Sequence, residues 1–233
     1  MILAIDTSTA NAGVALYGEA GLLGEVTWQV GEAATAQVLP VVRQLFHWLG
    51  KKPTDLSGIA VALGPGSFNG LRVGLSLGKG LARALGRPIV GLPTPEVAAY
   101  PFSSLVLPVC VLLKAGRGRV VSALFQTRYG RWQRLGDFAN TTLEEVCRQT
   151  ERTTVFCGEI DADMAAYLHE HLGQRALVAT PALSARRAGY LAEMAWKRLQ
   201  ESPEGDDPTS LQPLYLSRPR LGAPFSSSME ETP

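Results

Sequence analysis

The chain is predicted to be an α/β protein of two units, each built on a mixed β-sheet with helices. Three observations predict this. The chain opens on a β-hairpin signal, in which apolar Ile2 to Asp6 and Gly13 to Tyr17 flank the turn-forming TSTANA. Strand-like and helix-like stretches then alternate in an order that suits a right-handed parallel crossover. The same hairpin-then-strand-and-helix order recurs in weaker form after about residue 100, although no residue-by-residue repeat accompanies it.

Each element has its own signal. After the hairpin, Leu23 to Gln29 reads as a third strand. From Thr35 to Leu49, apolar Val38, Leu39, Val42, Leu45, Phe46 and Leu49 recur at helical spacing. Pro40 inside that pattern implies a kink or a later helix start. Ile59 to Leu63 is a buried-type strand, followed by a glycine-rich stretch, a helix to about Leu85 and a strand at Pro88 to Leu92. "LPTPEVAAYPFSS", residues 92 to 104, shifts in composition and is read as the passage between units, giving subdomains at 1–100 and 101–216. The second unit starts with a hairpin, Val106 to Leu113 and Val120 to Gln126, turned by "KAGRGR". Thr141 and Glu144 have capping-box spacing for a helix to Gln149. Val155 to Cys157 and Ala176 to Ala179 read as strands, and Ala162 to Leu172 and Ser184 to Leu199 as helices. "ESPEGDDPT", residues 201 to 209, reads as an acidic connector, and residues 217–233 as a loose tail.

Composition narrows the function. With 46% apolar and 18% charged residues the chain is globular, and its net charge of +1 excludes a whole-chain basic field while leaving room for a local basic patch. Cys110, Cys147 and Cys157 include no CxxC spacing, and Cys110 and Cys157 lie in apolar runs as small core residues do. The longest apolar run, Leu105 to Leu113, falls far short of the ~20 residues that span a bilayer. "MILAIDTST" carries no basic n-region or cleavage site, so a cytoplasmic protein without membrane partners is expected.

The stretch GPGSFNGLRVGLSLGKGLARALGRP, residues 64 to 88, raises the question of a bound phosphate. It fails both standard patterns, because Gly70 is followed by Leu71-Arg72 rather than Lys-Ser/Thr, and Asn69 stands where GxGxxG needs glycine. Gly70, Gly74, Gly78 and Ala82 instead recur every four residues as a strip of very small side chains. Each mid-helix glycine costs ~0.8–1 kcal/mol against alanine, so something must approach the strip closely. Two readings stand open: packing inside the chain's own core, or packing against a partner.

Asp6-Thr7-Ser8 is a second candidate, since a carboxylate, hydroxyls and backbone N–H groups together can wrap a nucleotide's phosphates with a metal on the Asp. The competing reading is local turn chemistry. His47, His169 and His171 form neither HxxxH nor HExxH, no GxSxG elbow exists, and no cysteine has an evident His partner. No catalytic residue and no metal site are assigned. Arg186-Arg187 and Lys197-Arg198 read as solvated helix faces.

"MILAIDTSTANAGVAL", "LPVVRQLF" at 39–46, "VALGPGSFNGLRVGLSLGKGLA" at 61–82 and "LQPLYLSR" at 211–218 resemble the TsaB (YeaZ) family, in order and across nearly the whole chain. The resemblance implies an actin-like ATPase (ASKHA) fold of two ribonuclease-H-like subdomains, with mixed sheets flanked by helices. It implies a non-catalytic subunit that binds and activates TsaD, the paralogue that transfers threonylcarbamoyl to adenosine 37 of tRNA (t6A biosynthesis). TsaE is the implied ATPase of the assembly, so the chain needs no cofactor of its own, and ATP and Mg²⁺ belong to the assembled complex. tRNA is met through the complex, and a homodimer through the same helices is an implied alternative pairing. The expected interface is Val38, Leu39 and Val42 with Gly70, Leu71, Arg72, Gly74, Leu75, Gly78 and Ala82. The rival reading is a nucleotide-binding ATPase or phosphotransferase using Asp6, Thr7 and Ser8.

Three departures from the family pattern stand out. Ala34 replaces a frequent histidine, Asn69 a frequent threonine, and Lys114 and Gly116 the usual Asp and Arg. TsaD holds its metal through an HxxxH near the segment equivalent to "LPVVRQ", where this chain has no histidine. Peptidase activity, sometimes attached to such proteins, lacks both metal ligands and a nucleophile here.

Overall fold

Alternation of side chains along β1 (Ile2–Asp6) already dictates a sheet covered on both faces. Ile2 and Ala4 join one core, and Leu3 and Ile5 join another. A computed structural model describes residues 1–30 and 34–216 and divides the chain into two units. Of the described residues, the first holds Met1–Pro101 with Ala185–Tyr215, the second Phe102–Ser184 with Leu216.

The first unit contains β1, β2 (Asn11–Gly18), β3 (Gly21–Gln29), α1 (Ala34–Trp48), β4 (Gly58–Gly64), α2 (Phe68–Leu85), β5 (Ile89–Pro93) and α3 (Thr94–Ala99). Its sheet order is β3-β2-β1-β4-β5, antiparallel through β1–β3 and parallel across β1, β4 and β5. On one face, α1 places Val38, Val42, Leu45 and Phe46 with Leu3, Ile5, Val14 and Leu16. Beside it, α2 sets Leu75 and Ala82 with Ile59, Val61 and Ile89. The opposite face is covered by α7 (Ala188–Glu201), whose Ala188, Leu191, Ala192, Ala195 and Leu199 pack with Ile2, Ala4, Ala15, Ala60 and Ala62. Small residues on both sides let this helix lie close to the strands.

The second unit repeats the topology. It comprises β6 (Val109–Lys114), β7 (Val120–Arg128), β8 (Arg131–Thr141), α4 (Leu143–Gln149), β9 (Thr154–Gly158), α5 (Ala162–Leu172), β10 (Ala176–Val178) and the short α6 (Pro181–Ser184). Its order, β10-β9-β6-β7-β8, is again an antiparallel triplet joined to a parallel pair. Phe156, Leu112, Leu168 and Leu172 centre its core.

Several expectations are corrected. The boundary at 100/101 does not hold for the C-terminal segment, because residues 185–215 return to the first unit. The physical reason is the apolar face of α7, without which the β1–β2–β4 face would be bare. The presumed passage at 92–104 contains α3, with Thr94, Pro95, Val97, Ala98 and Ala99 buried. The helix expected from Ser184 to Leu199 is interrupted by residues 185–187. The acidic connector is docked: Asp206 bridges to Ile89, accepts from the Gly91 N–H at 2.7 Å and pairs with Arg198. α4 is capped by Thr142, whose hydroxyl accepts from Glu145 N–H at 3.2 Å, one residue later than the Thr141 reading. α1 runs through Pro40 without ending there. The side chain of Ala34 and the tail at 217–233 lie outside the described residues.

Candidate functional site

The Asp6 turn sits where β1 ends under the start of α2. Ser8 donates to Asp6 Oδ1 twice, from its N–H at 2.8 Å and its hydroxyl at 2.6 Å. Asp6 Oδ2 accepts from Arg186 Nε at 3.3 Å, in an ion pair whose side chains are only 6% and 4% exposed. Arg186 also donates to the Thr9 hydroxyl. Thr7 Oγ1 donates to the Gly70 carbonyl at 2.7 Å, and Ser67 N–H to the Ser8 carbonyl at 2.7 Å. The Asp6 carboxylate, the Thr7 and Ser8 hydroxyls and the Ser8 N–H are thus all engaged within the chain. Arg186 and Arg187, expected on a solvated helix face, are instead paired with Asp6 and with Glu25, the latter at 2.8 Å. Lys197 pairs with Glu193 at 2.8 Å, and Arg198 with Asp206. The polarity of residues 186–187 marked them for water, whereas their partners lie more than 160 positions away in sequence.

The glycine strip of α2 has the same address. A Cβ on Gly66 would overlap the Ser8 carbonyl, on Gly70 the Thr7 carbonyl, on Gly74 the Thr7 hydroxyl and on Gly78 a Val61 methyl. Of the two readings left open by the spacing, the structure selects packing inside the chain's own core. Val38, Val42, Gly70, Leu71, Gly74, Leu75, Gly78 and Ala82 are all buried, which corrects their expected role as interface residues. Only Leu39 and Arg72 of that set are exposed.

The outward faces of α1 and α2 carry a different set. On α1 these are Leu39, Arg43, His47 and Trp48, the last 64% exposed. On α2, Phe68 is 52% exposed, with the Arg72 guanidinium 3.7 Å from its ring centroid, as their i,i+4 spacing allows. Tyr215 completes the group, its ring 5.4 Å from that of Phe68 and its hydroxyl accepting from Arg72 Nε at 3.3 Å. Phe68, Trp48 and Tyr215 were not singled out from sequence. The signal for Phe68 was its place one residue after the helix-capping Ser67, at i−4 from Arg72.

Elsewhere, the end of β6 that enters the 114–119 turn is held by an ion pair. Lys114 Nζ lies 2.8 Å from Asp161, which also caps α5 by accepting from Met164 N–H at 2.9 Å. Hydrogen bonding to Asp161 holds the Lys114 ammonium above its usual pKa and the Asp161 carboxyl below its own. Burial pushes the Cys110 thiol up to about 12 and the Cys157 thiol higher still. Among the described residues no group of three or more His, Cys, Asp or Glu side chains is placed to hold a metal, and no helix is long and apolar enough to cross a membrane.

Two duplicated units with mixed five-stranded sheets and flanking helices are the actin-like ATPase fold, which the comparison of structures bears out. YeaZ from Pseudomonas aeruginosa superposes with a TM-score of 0.72 at 26% identity, over 92% of this chain and 99% of that one. A chain of the PilM–PilN type IV pilus biogenesis complex matches at a TM-score of 0.50 and 10% identity over 87% of this chain and 95% of its own, a likeness of fold alone. Residues 29–222 match the family model described as "TsaD: tRNA N6-adenosine threonylcarbamoyltransferase". The tRNA threonylcarbamoyladenosine biosynthesis protein TsaB of Bacillus subtilis is 30% identical over 221 residues, covering 92% of this chain and 93% of that protein. The chain belongs to the TsaB (YeaZ) family, as the order of its motifs implied.

Proposed function

We propose that this chain takes part in t6A biosynthesis as the non-catalytic partner of a TsaD-type threonylcarbamoyltransferase, in the cytoplasm. It docks by the outward faces of α1 and α2, through Leu39, Trp48, Phe68 and Arg72. One observation carries the reading: the Asp6 carboxylate, which the rival ATPase reading needs for a metal, is occupied by Arg186 and Ser8, while apolar side chains stand exposed on α1 and α2. A carboxylate holding an internal guanidinium serves the fold, and exposed large apolar groups clustered with an arginine suit a protein interface. The same surface serves for self-association when the partner is absent. TsaE joins the assembly beside the pair, and any ATP and Mg²⁺ act there.

The test is co-purification with the TsaD-type paralogue of the same cell, followed by a tRNA modification assay with and without this chain. Leu39→Asp with Phe68→Asp is expected to abolish co-purification and the gain in modification while thermal unfolding changes little. Retention of both by the variant overturns the surface. Calorimetry with ATP and Mg²⁺ tests the rival ATPase reading: micromolar binding to the isolated chain, lost in Asp6→Asn, would replace the proposal with an enzyme.

A further inference from the structure

The tip of the β7–β8 hairpin gathers arginines that pair with no carboxylate among the described residues. Arg128 and Arg131 are register partners, directly opposite each other on one face, where like charges are destabilising. Arg152 joins them: its guanidinium and Arg128 Nε both donate to Gln126 Oε1, at 3.3 and 3.4 Å. The Gln126 amide is in turn held by donation to the Val106 carbonyl at 3.5 Å. Among the described residues none of the three arginines has a carboxylate within ion-pair distance. The unit's Lys114 and Arg148, by contrast, pair with Asp161 and Glu145. From Val120 to Thr141 the sequence holds three arginines and one carboxylate, Asp137.

A second observation lies at the tip. Tyr129 and Gly130 both have positive φ, 52° and 72°, in the turn joining β7 to β8. Such two-residue turns favour Asn or Asp ahead of Gly, and a bulky residue there is a backbone outlier. Among the described residues Tyr129 has no ring contact, and it is fully exposed at 102%. A strained position thus presents an aromatic ring to solvent between two unneutralised arginines.

We propose that this hairpin tip is an RNA contact, with Arg128, Arg131 and Arg152 on successive backbone phosphates and Tyr129 stacking on an unpaired base. Guanidinium forks suit phosphate oxygens, and an aromatic face accepts any base. The inference rests on the proposed function only in taking tRNA as the RNA; the chain's slight net charge limits the contact to a local one that adds to binding in an assembly.

The experiment is fluorescence anisotropy of an unmodified tRNA transcript with the full isolated chain, from about 50 to 200 mM KCl. Micromolar binding at the low end is expected, with a log–log salt slope near −2 to −3 for about three phosphates. Arg128→Ala/Arg131→Ala/Arg152→Ala should weaken low-salt binding at least about tenfold and flatten the slope, and the triple lysine variant should keep most of both. Tyr129→Ala should cost about fivefold or more, and Tyr129→Phe little. No tRNA binding, equal binding by the triple alanine variant, or retention on phosphatidylglycerol vesicles in place of tRNA overturns the proposal. Leu39→Asp/Phe68→Asp separates the two readings, since it should lose the transferase partner and keep the isolated chain's tRNA affinity.

Discussion

At the scale of single residues, Arg186 carries the largest expectation. Removing one member of a buried ion pair strands the other charge, which typically costs about 3–5 kcal/mol. Arg186→Ala is therefore expected to lower the urea midpoint by that equivalent, and Arg186→Met with Asp6→Asn to recover part of the loss. Equal stability of Arg186→Ala and the parent would show the pair to be dispensable. The thiols give a second check. Burial raises all three, Cys110 and Cys157 most, so at pH 8 only the partly exposed Cys147 should react quickly with a disulfide reagent. Denaturant should release the other two. The seclusion of Cys110 and Cys157 was legible from their apolar runs. The Arg186–Asp6 pair was not, because no local pattern reports a partner 180 positions away.

Among the elements, α2 separates two kinds of helical glycine. Gly78 lies against Val61, and an added methyl there overlaps a side chain that is itself fully buried. Gly80, two positions on, faces open space with nothing within 4 Å. Gly78→Ala should cost about 1–3 kcal/mol from overpacking, while Gly80→Ala should gain about 0.5–1 kcal/mol from helix propensity. Urea unfolding of the two variants, run side by side, checks both signs. The four-residue recurrence of Gly70, Gly74 and Gly78 announced close approach from the sequence alone. What it approached was hidden, since a strip of small residues looks the same against its own sheet as against another protein. β8 escaped notice for a related reason: Trp132, Leu135 and Phe138 fall three apart, a spacing that does not alternate, and charged residues fill the gaps. Only its ladder with β7, interrupted by a bulge, makes it a strand.

Across the whole molecule, the two units differ in how the chain supplies them. In the second, the cluster around Leu112, Phe156, Leu168 and Leu172 is drawn from residues 110–178, within one continuous segment. A fragment of residues 102–184 is therefore expected to fold alone, with dispersed NMR resonances and a cooperative melt. A fragment of residues 1–101 lacks α7 and should be poorly ordered or aggregate, and adding residues 185–215 in trans or by a linker should rescue it. Cooperative folding of 1–101 alone would refute this. The duplicated hairpin-then-parallel order was readable from hydrophobic patterning, but the return of α7 was not, because an amphipathic helix does not name the sheet it will cover. That return also sets a schedule for synthesis. The ribosome finishes the five strands of the first sheet by Pro93, yet must add 114 residues after Pro101 before Tyr215 completes the unit. At about 5–20 residues per second, the alanine-lined face of β1 and β4 stays uncovered for roughly 6–23 s, long enough for a chaperone to find it before its own helix does.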